Sequence, residues 1–255
     1  MEHPRATRKW ETLRSRSAAA IGQLLIILVG VVVALAADRW NQGRLDRASA
    51  GDYLASLVKD LREDTASLSA ELQLAETREV DARLILGVVV GNKPIDDPFE
   101  FVLAVVNASM YGEPVQSRET FDDLVETGRL GLIRDEVLRR GLADYYHFVE
   151  RRSQPYALQR QRVWGDYLPL SVDAVPLDLQ EWTYRVGGRR RSGRTAAPSV
   201  DEAAAVAARL RAMPEVEKAL KGVVRASWSL TDNWTLMRSE AAALIEQIEA
   251  LLKGR

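Results

Sequence analysis

Four carboxylates crowd one short stretch: Asp122, Asp123 and Glu126, with Glu119 one turn earlier. Oxygen ligands grouped in this way bind hard cations such as Ca²⁺. On a helix the same group is more often a solvated face paired with arginine, here Arg118, Arg129 or Arg139, and that is the expectation. Tyr145, Tyr146, Phe148 and Trp164 have the chemistry to line a ligand pocket between helices. At helical spacing they are expected instead as core, with their polar tips at its edge. The run Gly187-Gly188-Arg189-Arg190-Arg191-Ser192-Gly193-Arg194 carries enough charge to meet phosphates, of lipid headgroups or another polyanion. Gly and Arg together do not pack, so a solvated loop is expected there.

Composition narrows the chemistry further. The chain has no Cys, so thiolate chemistry, disulfides and Cys-based metal sites are out. Its two histidines, His3 and His147, leave little for His-based catalysis or zinc ligation. Gly87 to Lys93 is not a P-loop: the glycine spacing is one short, and Asn92 separates Gly91 from Lys93. No His-Glu-x-x-His, Gly-x-Ser-x-Gly or Gly-x-Gly-x-x-Gly occurs. The expectation is a non-enzyme with no catalytic, cofactor-binding or metal residues. A net charge of −1 makes no bulk case for nucleic acid.

What must position any site is helix. Ala18 to Ala37 is an apolar run broken by one polar side chain, Gln23, with no charge inside it. As a helix it is about 30 Å long, the thickness of a bilayer's hydrocarbon core. Arg5, Arg8, Lys9, Arg14 and Arg16 precede it, against Arg39, Arg44 and Arg47 after it. The positive-inside rule then keeps residues 1–17 in the cytoplasm as a basic tail and exports 38–255. Trp40 suits the outer headgroup layer. A cleaved signal peptide competes with this reading, with Ala34-Leu35-Ala36 as its cleavage pattern, but the run exceeds a usual h-region. Ala18, Gly22, Gly30 and Ala34 form a small-residue row of the kind that lets two spans approach, so self-association through it is a candidate.

After the span, Leu54, Leu57, Leu61, Leu68, Leu72 and Ala75 mark one face of a stalk helix reaching about Leu86. Gly91-Asn92-Lys93-Pro94 reads as a turn, and Asp97-Pro98 as a cap with Pro at the first helical position of Phe99–Met110. Ser117 is expected to cap a helix that stops at Gly128. Asp135 should cap a long helix kept in phase across Pro155 by Leu138, Leu142, Tyr145, Val149, Tyr156, Val163 and Tyr167. Residues 169–198 read as an irregular loop. Ser199 and Glu202 have capping-box spacing. From Val216 through Leu220, Val223, Ser227, Leu230, Trp234, Met237, Ala241, Leu244 and Ile248 to Leu251, steps of four and three alternate without a miss, a heptad seam. The fold expected is all-α: an N-terminal transmembrane helix (18–37) continuing into an antiparallel bundle of long helices (38–255).

Ile21-Gly22-Gln23-Leu24-Leu25 through Gly30 and Ala34 to Trp40-Asn41, then Tyr53-Leu54, Leu57 and Asp60-Leu61, make one block. The Thr120–Tyr146 segment makes a second. In these blocks the chain resembles a family of uncharacterised bacterial single-span membrane proteins, a domain of unknown function. Members of that family typically carry an acid where this chain has Gln23. The resemblance implies a membrane anchor and a helical exported domain, and no activity or ligand. The function expected is therefore a periplasmic interaction or scaffolding protein held in the bacterial inner membrane. Its partners would be the lipid bilayer, a second copy or an unidentified protein. The alternative is a sensory ligand-binding module that signals through a separate partner, since the cytoplasmic tail is too short for an output domain.

Overall fold

In the computed structural model the described backbone covers residues 7–112, 114, 116–188 and 193–254, and the described side chains are those of the same residues other than 7–30 and 153–155. The helices run α1 (Thr7–Val89), α2 (Pro98–Asn107), α3 (Glu119–Glu126), α4 (Glu136–Asp166), α5 (Leu168–Ala174), α6 (Leu177–Val186), α7 (Val200–Arg211) and α8 (Val216–Lys253), with a 3-10 turn at Arg129–Leu132. The protein is all-α. It divides into two units, Met1–Tyr53 and Leu54–Arg255.

The first unit is helical from Thr7. Val31, Val32, Val33 and Leu35 are between 51% and 61% exposed, and Trp40 is 67% exposed. The Arg44 guanidinium stands 5.9 Å from the Trp40 ring centroid. Among the described residues no helix is long and apolar enough to cross a membrane. Most of the expected span, residues 18–30, lies outside the described side chains. Gln23 and Ala18, Gly22 and Gly30 of the small-residue row fall there, while Ala34 is exposed.

The second unit is built on α1 beyond Tyr53, α4 and α8. Contact pairs fix their directions. Arg62 meets Glu249 at 2.6 Å, and Arg83 lies over Trp228 at 5.4 Å, so α8 is antiparallel to α1. Gln159 donates to Ser229 at 3.1 Å and Gly141 packs on Leu244, so α8 is antiparallel to α4 as well. It follows that α4 is parallel to α1, and Tyr145 on α4 reaches Asp64 on α1 at 2.8 Å. The expected antiparallel packing thus describes α8 against α1 and α4, and not α4 against α1. A short connection would have forced antiparallel neighbours, but residues 90–135 carry the chain back along the bundle first.

At the far end, Phe101, Val102 and Val105 of α2, Trp182 of α6 and Val206 and Leu210 of α7 close a core over Ala82–Val89 and Val216–Ala226. Phe99 and Trp182 meet edge to face at 4.9 Å. Two sequence expectations change here. Residues 169–198 hold α5 and α6, because Pro169 and Pro176 sit at helix starts, where a missing N–H costs nothing. Ser117 does not cap α3: Arg118 holds that position without a side-chain bond. The Asp97, Asp135 and Ser199–Glu202 caps form, and Gly128 takes φ +69°, open to glycine without strain.

Candidate functional site

On α1 the residues Leu57, Leu61, Asp64, Leu68, Glu71, Ala75, Arg78, Ala82 and Ile85 step alternately by four and three, and all are buried. This is a heptad seam like that of α8. Asp64, Glu71 and Arg78 are one heptad apart and occupy the same seam position. Three ionisable groups thus stand inside the bundle where leucine is the ordinary choice.

Asp64 is satisfied. It accepts from the Ser117 backbone N–H at 2.6 Å and from the Tyr145 hydroxyl at 2.8 Å. One turn earlier, Asp60 accepts from the Thr120 N–H at 3.1 Å. That N–H is one of the orphan donors of the first turn of α3, so α1 supplies the cap that α3 lacks. Burial raises the Asp64 pKa more than these bonds lower it, and burial with the neighbouring carboxylate raises the Tyr145 phenol. Tyr146 stacks on Phe121 with centroids 4.4 Å apart and donates to the Ser117 carbonyl at 3.3 Å. These acids and tyrosines clamp residues 117–121 onto α1.

Two turns on, satisfaction is incomplete. Arg78 donates through Nη1 to the Met110 carbonyl at 3.0 Å, and its guanidinium lies 4.1 Å from the Tyr111 ring centroid. Among the described residues its Nε and Nη2, Glu71 Oε2, the Tyr111 hydroxyl and Asp81 Oδ2 are buried without a hydrogen-bond partner. Such groups are costly unless water or another polar group reaches them. Burial pushes the Glu71 carboxyl up and the Arg78 guanidinium down. It raises Tyr111 to about 12, and with Glu100 nearby it raises Asp81 to about 6. Gly112 passes so close to Glu71 that a Cβ would collide with its carboxylate. Tyr156 on α4 donates to the Gly112 carbonyl.

The residues singled out in the sequence are dispersed. Asp122 pairs with Arg118 at 2.8 Å, in the solvated helix face expected of the acidic group. No cluster of three or more metal-ligating side chains occurs among the described residues. Tyr145 and Tyr146 touch at 5.1 Å and are core. Trp164 points its indole N–H at the Ser109 carbonyl at 2.9 Å, and Phe148 lies under the Arg152 guanidinium at 5.2 Å. The four aromatics do not share one pocket. Arg194 is locked into the start of α7, bonding Glu202 through both nitrogens at 2.6 and 2.7 Å and Asp178 at 2.7 Å. Glu202 is correspondingly lowered to about 2. Arg189, Arg190 and Arg191 lie outside the described residues.

A cleft between α4 and α8, also lined by Pro114 and Gln116, was not legible. It encloses about 260 Å³. Tyr156 and Trp234, tilted at 5.4 Å, form its base with Met237, and Arg152, Gln159 and Asn233 stand at its rim. In the sequence, Tyr156 and Trp234 count only as core positions, and the rim is assembled from two helices far apart in the chain. Comparison with protein-family models, with curated proteins and with solved structures finds no match to this chain.

Proposed function

We propose that this protein is a membrane-tethered helical module that works by binding. Ala18–Ala37 crosses the bacterial inner membrane, the basic flank stays in the cytoplasm, and Leu54–Arg255 offers its helical surface on the periplasmic side to a protein partner or a second copy. One observation carries the reading: Val31, Val32, Val33 and Leu35 stand half exposed on a helix beside an exposed Trp40. In water each would forfeit about 25 cal/mol for every Å² of apolar surface left wet. Hydrocarbon removes that cost, and Trp40 with Arg44 suits the headgroup layer just beyond.

The test is extraction and topology together. The chain is expected to stay with membranes through an alkaline carbonate wash, and to leave them when residues 18–37 are deleted. Alkaline phosphatase fused after Arg255 should be active, and a reporter that works only in the cytoplasm should be silent. A full-length chain recovered in the soluble fraction refutes the tether; an active cytoplasmic reporter refutes the orientation. The mass of the mature chain separates a retained anchor from cleavage after Ala36. The cleft favours a second reading, a sensory module whose occupied state is passed to a separate partner.

A further inference from the structure

We infer that the cleft between α4 and α8 is a binding site for a small aromatic carboxylate. Its size comes first: about 260 Å³ matches the liquid volume of about nine waters, enough for a molecule of roughly a dozen non-hydrogen atoms. Its base comes second. Trp234 and Met237 are almost wholly buried and Tyr156 is 8% exposed, so the floor is a fixed apolar and aromatic surface that a flat ring covers well. Its charge comes third. Among the described residues that line it, Arg152 is the one charged side chain and none is a carboxylate. Among these residues an anion finds a guanidinium to pair with, and a cation finds no carboxylate. Its rim comes last. Gln159 is held by the Ser229 hydroxyl at 3.1 Å and Asn233 by the Ser229 carbonyl at 2.7 Å, so the amides that would read the ligand's polar end are already positioned. The site belongs wholly to the unit Leu54–Arg255 and does not depend on the membrane reading.

The probe is 3-phenylpropionate, with 3-phenylpropylamine and 3-phenylpropanamide as controls of the same shape. Full-length protein in nanodiscs of uncharged lipid is measured by equilibrium dialysis against empty nanodiscs. The acid should bind saturably at one per chain, at least tenfold more tightly than the amide, and the amine should not bind. Arg152→Gln, on an exposed side chain, should weaken the acid at least tenfold and leave the amide unchanged. Asn233→Trp should fill the cleft and abolish binding of both at an unaltered melting temperature. If it unfolds the protein instead, Ser229→Phe replaces it. Equal binding of acid and amine, an acid affinity indifferent to Arg152→Gln, or uptake without saturation would overturn the assignment. Failure here leaves the fractionation result untouched, so the two proposals fail separately.

Discussion

Asp64 shows how much one seam residue holds. It is fully buried and ties Ser117 and Tyr145 to α1. Asp64→Ala strands a part-buried N–H and a buried hydroxyl, and should lower stability by about 2–3 kcal/mol in urea titration. Tyr145→Phe removes one bond only and should cost about 1–2 kcal/mol. Asp81 adds a dependence on pH. Its folded pKa is raised to about 6 from 3.8, so the folded state holds the proton more tightly than the unfolded chain. The stabilisation is complete below the unfolded value and is lost as pH climbs through about 6. Urea midpoints should therefore fall between pH 4 and 7, and Asp81→Asn should flatten that slope and leave the protein more stable at pH 8. The apolar face read from the sequence, Leu54, Leu57, Leu61, Leu68, Leu72 and Ala75, leaves out Asp64, Glu71 and Arg78. Residue type argued for the surface, while the unbroken four-three stepping from Leu57 to Ile85 argued for the core, and packing followed the stepping.

At the scale of elements, caps and seams carry the fold. Ser199→Ala breaks a reciprocal box that Arg194 also braces, and should cost about 1 kcal/mol, read as faster amide exchange in the first turn of α7. Trp234→Ala opens a void in the α8 seam and should cost about 3–5 kcal/mol. The α8 seam was fully legible because only Ser227 and Ala241 depart from bulky apolar residues along it. The caps at Asp97, Asp135 and Ser199 were legible because capping is local chemistry. Three things were not. Pro169 and Pro176 look the same in sequence whether they end a helix or begin one. The cap of α3 comes from Asp60, on another helix. The cleft exists only once α4 and α8 lie side by side, and no spacing within either helix announces that.

For the whole molecule, the parallel pairing of α1 with α4 means that these two cannot close on each other through a short turn, and the chain must first return along the bundle between them. A chain begun at Asp38 should keep its far-ultraviolet helical signal. It should unfold in one transition by circular dichroism and tryptophan fluorescence alike, because α1 and α8 each run through both ends of the core. Two separate transitions would show the far end folding by itself. There is also a consequence for manufacture. Arg62 and Glu249 join points 187 residues apart, so the first long helix to leave the ribosome is covered by the last. At ordinary elongation rates that wait is roughly 10–40 s. Throughout it, Asp64, Glu71 and Arg78 interrupt an otherwise apolar stripe with charge, so the uncovered face offers less contiguous greasy surface to other nascent chains. Charges that burden the finished fold serve as safe-conduct for the nascent one.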